Sequence, residues 1–214
     1  GVNPDALIPS CKGVADLRKR WTREMGTDAA KGATEHAAED AAETTFILCV
    51  GRMVPKKGFD ILLRALAEEL LRGRKVAAVM VGNGDSKEEW RALAKQLGVA
   101  EHVYWAGTVP YAELGRWYNA ADLLAMPSVS LPADGLNVCV LDAMACAKPV
   151  VASEVAGNPL AVVQGETGFL LPEQDAKGLA QAIALLVDNA AMRRQMGGKG
   201  RRRSEEQLGG RPLA

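Results

Sequence analysis

From Phe46 onward the chain repeats one pattern: an apolar run of four to six residues, a loop, then a stretch with apolar side chains at helical spacing. This alternation restricts the fold severely. A strand that returns through a helix joins its neighbour in parallel, and a parallel sheet must be covered by helices on both faces. The runs at Phe46 to Val50, Val76 to Val81, Val103 to Trp105, Leu123 to Met126 and Pro149 to Ala152 read as strands, and G-E-T-G-F-L-L-P holds a sixth between glycines. Helices are expected over Phe59 to Leu71, Lys87 to Leu97, Pro110 to Tyr118, Leu136 to Ala145 and Asp175 to Asp188, with Asp175 as the cap of the last. The expectation is α/β, a doubly wound parallel sheet with right-handed crossovers and helices on both faces.

The first 45 residues differ in texture. Two prolines open the chain, Val14 to Met25 reads as a short basic helix, and residues 27 to 45 are rich in alanine and charge without large apolar side chains. These residues are expected to be a linker and mobile lead-in, followed by one domain over 46–200 and a basic tail over 201–214. With 214 residues and 48% apolar composition the chain supports one substantial core and is too short for two full lobes. Its 26 basic residues balance 26 acidic ones, so no overall field recruits nucleic acid, and anion affinity must be built locally. Arg201 to Arg203 read as a solvated helix end rather than a contact for lipid phosphate.

Cys11, Cys49, Cys139 and Cys146 stand singly, without C-x-x-C spacing, and are expected to be reduced thiols. His36 and His102 belong to no metal or nucleophile constellation, so no metal site is expected. Apolar runs fall short of a membrane span and the first residues lack a signal segment, which points to a cytoplasmic protein.

Two loops have parts suited to phosphate. In Gly51-Arg52-Met53-Val54-Pro55-Lys56-Lys57-Gly58, Gly51 permits close backbone approach, Arg52 offers a planar fork and Lys57 a point charge. Ordinary surface charge on a turn is the competing reading. Gly82-Asn83-Gly84 is a weaker signal of the same kind, since such glycines commonly serve the turn alone. A dinucleotide fingerprint would need glycine at Lys87, a triphosphatase loop would need lysine where Phe59 stands, and no G-x-S-x-G elbow is present.

Two acids follow, Asp134 and Asp142. If Asp134 lies at the mouth of a helix and Asp142 inside it, they stand roughly 12 Å apart and roughly 80° apart around the axis. That separation suits two hydroxyl-bearing parts of one elongated ligand and not a single metal ion. Taken alone, a helix cap at Asp134 and a solvated or salt-bridged Asp142 is the stronger reading.

Six segments occur in one order: F-I-L-C-V-G-R-M-V-P-K-K-G-F-D-I-L-L-R-A, V-M-V-G-N-G-D, V-Y-W-A-G-T-V-P-Y-A-E-L, A-A-D-L-L-A-M-P-S, D-G-L-N-V-C-V-L-D-A-M-A-C-A-K-P-V-V-A-S and G-E-T-G-F-L-L-P. Together they resemble the Rossmann-like, nucleotide-sugar-binding C-terminal half of the group 1 (family 4) retaining glycosyltransferases of GT-B architecture, over about residues 46 to 200. The resemblance implies that Arg52 and Lys57 bind the donor diphosphate, that Asp134 contacts the transferred sugar and that Asp142 contacts the ribose hydroxyls. It further places backbone of Asn137, Val138 and Cys139 at the diphosphate, and Gly107 to Val109 near the base, with Gly51, Gly82 and Gly84 beside the donor. Arg52, Lys57 and Asp134 would act in catalysis, with retention at the anomeric carbon and no metal or other cofactor.

This sequence departs from the family at both acids, which are aspartates instead of glutamates, and at Asn137, where glycine is usual. No acceptor-binding lobe occurs in it, so it resembles a donor lobe expected to be inactive alone and to need that N-terminal lobe as partner. The full-length enzyme is expected in the cytoplasm, with peripheral association at the cytosolic membrane face left open. Two other readings share the shape: a nucleotide-sugar epimerase or hydrolase lobe, and a non-catalytic nucleotide-binding or interaction module.

Overall fold

The structure is a computed structural model and describes residues 9, 13–25, 42–130, 135 and 137–208. Six parallel strands make one sheet: β1 Thr45–Val50, β2 Val76–Val81, β3 Val103–Gly107, β4 Leu123–Met126, β5 Val150–Ser153 and β6 Gly168–Leu171. Their order is β3-β2-β1-β4-β5-β6. Registers run in phase from Thr45 opposite Val76 to Val50 opposite Val81, and β1 meets β4 through Ile47–Leu123 and Leu48–Leu124. This is the Rossmann order, in which the chain winds outward in two directions from β1 and leaves a crevice where the direction reverses, between the carboxyl ends of β1 and β4.

Both faces of the sheet are buried, as the unbroken apolar runs require. The period of two along each strand divides them into two cores. Ile47, Cys49, Ala78, Met80, Leu123, Ala125 and Val151 face α2 (Phe59–Ala67), α3 (Lys87–Gln96) and α7 (Ala176–Asp188). Phe46, Leu48, Ala77, Val79, Leu124, Met126, Val150 and Ala152 face α1 (Val14–Glu24), α4 (Tyr111–Ala120) and α5 (Val138–Ala145). A short α6 (Asn158–Ala161) and a closing α8 (Ala190–Arg203) complete the α-helices of the described residues. Asp175 caps α7 as expected, accepting from the Gly178 amide at 2.8 Å. The expected helix over Phe59 to Leu71 is broken at Glu68, and Glu69–Leu71 continue as a 3-10 turn.

The short basic helix read over Val14 to Met25 is present as α1, and within the expected lead-in it does more than link. α1 is part of the core: Trp21 is fully buried, with its ring centroid 5.2 Å from Phe46 and 5.5 Å from Trp117. Arg18 fastens the helix by donating to Asp122 at 3.0 Å and to the Ala120 carbonyl at 2.9 Å, while its guanidinium lies 4.6 Å from the Phe46 ring. The expected loose helix or loop over residues 27 to 45 falls almost wholly outside the described residues.

Arg201 to Arg203 do end a helix, but Arg201 and Arg203 are half-buried rather than solvated. Arg201 to Arg203 belong to α8, and Arg201 and Arg203 donate to the carbonyls of Ala145 and Ala161, each at 2.9 Å. They cap the carboxyl ends of α5 and α6, where a cation also opposes the negative end of the helix dipole. Glycine in this basic helix has a packing reason: a Cβ on Gly197 would lie 2.0 Å from the Ala147 carbonyl oxygen.

Candidate functional site

The loops that leave β1 and β4 meet at the crevice. After β1 the chain makes a 3-10 turn at Pro55–Lys57 and then reverses at Gly58, whose φ of 64° lies in the left-handed region. Only glycine fits there, because a Cβ would sit 1.9 Å from the Pro127 carbonyl oxygen. The Val129 amide donates to the Lys56 carbonyl at 2.9 Å, so the two loops are joined backbone to backbone.

This turn aims Lys57 into the crevice. Its stem runs over Gly51, where an added Cβ would touch the lysine Cδ at 3.7 Å. Its ammonium donates to Asn137 Oδ1 at 2.7 Å, and Asn137 is the N-cap residue of α5. Asn137 itself is buried and donates to Asn158 Oδ1 at 3.0 Å; Asn158 donates to the Ser153 carbonyl at 2.9 Å. Ser128 stands beside them, 3.4 Å from Asn137 Nδ2, and its carbonyl accepts from the Ser153 hydroxyl. The structure thus brings a cation to the amino end of an α-helix, where first-turn N–H groups lack intrahelical partners and the dipole favours an anion.

The other residues singled out in the sequence fall as follows. Arg52 is exposed on the same loop, and Cys139 and Val138 occupy the first turn of α5, with Val138 exposed. Gly82 and Gly84 press against the first loop, since a Cβ on them would lie 1.9 Å from the Gly51 oxygen and 2.4 Å from the Met53 oxygen. Their missing side chains make room for neighbouring backbone. Gly107 ends β3 at φ 68° with open space beside it, and its carbonyl accepts from the Gly82 amide at 2.8 Å. Val109 is half-buried against the second core. Asp134 lies outside the described residues.

Asp142 overturns the view of it as a solvated or salt-bridged surface acid. It is 2% exposed, receives a 3.4 Å hydrogen bond from the Tyr118 hydroxyl on one oxygen, and its Oδ1 finds no partner among the described residues. Burial pushes its carboxyl up to about 6, against which the Tyr118 bond pulls only weakly. The thiols nearby are equally removed from reaction. Burial pushes Cys139 and Cys146 up to about 12 and Cys49 well above the usual thiol range, and none of the three is in a disulfide. Among the described residues no three His, Cys, Asp or Glu side chains gather as a metal would require, and no helix is long and apolar enough to cross a membrane.

Ser128, Ser153, Asn158 and Tyr118 were not visible as site residues in the sequence. They arrive from the β4 loop, the end of β5, α6 and α4, and A-G-N-P reads locally as nothing more than a turn.

Comparison with known proteins agrees with this architecture. The family model described as glycosyl transferases group 1 matches residues 33–203. A GDP-mannose-dependent alpha-(1-6)-phosphatidylinositol monomannoside mannosyltransferase of Mycolicibacterium smegmatis is 36% identical over 205 residues, covering 94% of this chain and 49% of the relative. A D-inositol 3-phosphate glycosyltransferase of Corynebacterium diphtheriae is 37% identical over 160 residues, covering 72% of the chain and 37% of the relative. Among solved structures, sucrose-phosphate synthase of Thermosynechococcus elongatus superimposes with a TM-score of 0.76 at 27% identity, covering 96% of this chain and 46% of that one. Anabaena HepE, solved in complex with UDP, gives a TM-score of 0.79 at 22% identity over 96% and 51% of the two chains. The chain spans about half the length of the curated relatives it matches. By the family model, by identity over nearly its whole length and by its sheet, the chain belongs to the group 1 glycosyltransferases.

Proposed function

We propose that this chain is the donor-binding lobe of a retaining glycosyltransferase, which moves a sugar from a nucleoside diphosphate to an acceptor hydroxyl supplied against a second, N-terminal lobe. The observation that carries the reading is the Lys57 ammonium fixed 2.7 Å from the N-cap side chain of α5, inside the switch-point crevice of a group 1 glycosyltransferase sheet. In the transfer step the bond from the anomeric carbon to the diphosphate oxygen breaks and negative charge develops on the leaving group. Lys57, Arg52 and the first-turn amides of Asn137, Val138 and Cys139 would stabilise that charge; electrostatic stabilisation of this kind is commonly the largest single contribution to catalysis. In this reading no metal is called for, because Arg52, Lys57 and the helix end would together oppose the charge of the diphosphate.

In this reading Gly51 and Lys57 floor the diphosphate site, Gly82 and Gly84 hold the neighbouring loop, Gly107 and Val109 border the base, and Asp134 meets the sugar. The domain runs from the β1 strand to the end of α8, with α1 packed upon it, and transfer requires the second lobe. The mannosyltransferase relative uses GDP-mannose, and HepE was solved with UDP; a guanosine or uridine diphosphate donor heads the panel to be tested. Cytoplasmic placement of the full-length enzyme, peripheral to a membrane, fits a soluble nucleotide-sugar donor and an acceptor like the phosphatidylinositol mannoside named for that relative.

A specific observation favours a second reading, a nucleotide-binding module without transfer: Asp142 is buried with one oxygen on the Tyr118 hydroxyl, a setting less open to a ribose than the surface acid the sequence suggested. Calorimetric titration with UDP, GDP and ADP tests the donor site. Saturable binding that Arg52→Ala weakens about tenfold or more is expected from the loss of a charge-assisted phosphate contact. Failure of a folded sample to bind any of the three would end the donor-site reading. Binding by the chain together with no transfer by the two-lobed enzyme would favour the module.

A further inference from the structure

On the face of the sheet covered by α2, α3 and α7, a groove of about 410 Å³ lies between the starts of α2 and α3. Its floor is apolar, made by Ile61 and by Trp90, whose ring stacks on Phe59 with centroids 5.2 Å apart. Its rim is polar: Asp60 and Arg64 from α2, Glu89 from α3 and Gln174 from the turn before α7. Ser86 borders it as well. That residue is 5% exposed and stands at the N-cap of α3 with φ −81° and ψ −2°, in the helical region instead of the extended one from which a cap serine reaches a first-turn amide. Its hydroxyl has no partner among the described residues. A buried hydroxyl left without a bond at the wall of a groove marks a place for a polar ligand atom. At Arg64 and Gln174 the groove opens into a second hollow of about 540 Å³, which follows α2 to Glu68. Both volumes are in the range of small-molecule sites.

The lining decides what fits. Both helix ends that open here carry a carboxylate in the first turn, Asp60 on α2 and Glu89 on α3, so their dipoles are already opposed and a phosphate is repelled. Arg64, the cation on the rim, lies 3.9 Å from Asp60 in an exposed pair too loose to form a fixed anion seat. A metal ion lacks a third carboxylate, thiol or imidazole among the described residues. What is left is a set of acceptors on Asp60, Glu89 and Gln174, donors on Arg64, Ser86 and Gln174, and an apolar floor. A sugar matches that set, because each hydroxyl both donates and accepts while the C–H faces of the ring are apolar. We propose that this trough binds a neutral oligosaccharide, with one unit beside Ser86 and further units along α2. The trough takes no side chain from the Lys57–Asn137 pair, so it stands or falls apart from the donor-site reading. It nevertheless borders the crevice, through Pro55 of the turn that carries Lys57 and Val129 of the β4 loop.

The test follows the amide resonances of the full chain during titration with gluco-, manno- and galacto-configured trisaccharides, their methyl glycosides and trigalacturonate. Saturable shifts at Ser86, Glu89 and Gln174 are expected with at least one neutral trisaccharide, about tenfold tighter than with its methyl glycoside, since further units add hydrogen bonds in the second hollow. Trigalacturonate should bind about tenfold more weakly or not at all, because its carboxylates meet Asp60 and Glu89. Glu89→Gln and Asp60→Asn, exchanges on the exposed side of the fold, should each weaken the neutral ligand about tenfold by turning a charge-assisted bond into a neutral one. Ser86→Ala should weaken it about two- to tenfold. All three are read on samples whose melting curves match the parent, and all three should leave a UDP titration as it is in the parent. No saturable shift with any neutral trisaccharide would overturn the inference, as would binding that none of the three variants weakens. Equal affinity for trigalacturonate, or parity between one sugar unit and three, would overturn it too.

Discussion

The corner beneath α1 and the crevice at α5 solve opposite problems with different chemistry. In the corner, Trp21, Phe46, Tyr104 and Trp117 gather with ring centroids 5.2 to 6.5 Å apart. The indole N–H groups of Trp21 and Trp117 find no hydrogen-bond partner among the described residues, so apolar burial there outweighs lost polarity. At the crevice the order is reversed. Buried amides at Asn137 and Asn158 have their bonds directed one by one, and the result is a cation held in place rather than a large area removed from water. The first region holds the fold together, whereas the second spends fold stability on a specific arrangement.

That division can be broken by substitution. Trp21→Ala should cost the most, about 3–5 kcal/mol for an aromatic truncated in a core, read from urea unfolding; it should leave nucleoside diphosphate affinity within twofold of the parent. A large loss of affinity in a folded Trp21→Ala sample would show that corner and crevice are coupled. Gly58→Ala comes next, at about 2 kcal/mol or more, from a left-handed backbone conformation and a Cβ driven onto the Pro127 carbonyl. Unlike the corner variant it should also lower diphosphate affinity, because it moves the turn that aims Lys57.

Asp142→Asn sharpens the contrast through pH. A folded-state carboxyl at about 6, raised from 3.8, binds its proton more tightly in the fold than in the open chain. Below pH 4 both states are protonated and the group contributes no penalty; the penalty grows as pH rises toward 6 and is constant above it. Asp142→Asn should therefore match the parent near pH 4 and exceed it in stability by about 3 kcal/mol at pH 7.5. A variant less stable than the parent at pH 7.5 would mean that the charged form has a partner after all. Smallest of all, Arg74→Ala removes an exposed ion pair with Asp188 and should leave the unfolding midpoint unchanged, as isolated surface pairs usually do.

Much of the sheet was legible because each strand carries its own evidence. Val76 to Val81 and Leu123 to Met126 are apolar throughout and end at turn residues, so local pattern and final burial coincide. The role of α1 was not legible. Its seven charged or polar positions suggest a solvated helix, and Trp21 acquires meaning only from Phe46, Tyr104 and Trp117, contacts far along the chain. At the crevice, Lys57 could be singled out because the glycine and proline around it announce a loop after a strand. Asn137 was valued for its backbone alone, since Asn158, Ser153 and Ser128 reach it from separate elements and leave no shared spacing. The burial of Asp142 was not legible for a related reason: an acid on an otherwise apolar helix gives no sign of which way it faces.

The bond from Val129 to the Lys56 carbonyl ties the start of the β4 loop to the β1 loop at the crevice. The turn at Lys56 cannot draw away from Val129 without breaking that bond. A ligand that engages the β1 loop at Lys56 would thus also quieten Val129, and hydrogen exchange of the Val129 amide becomes a clock for the parting of these two loops.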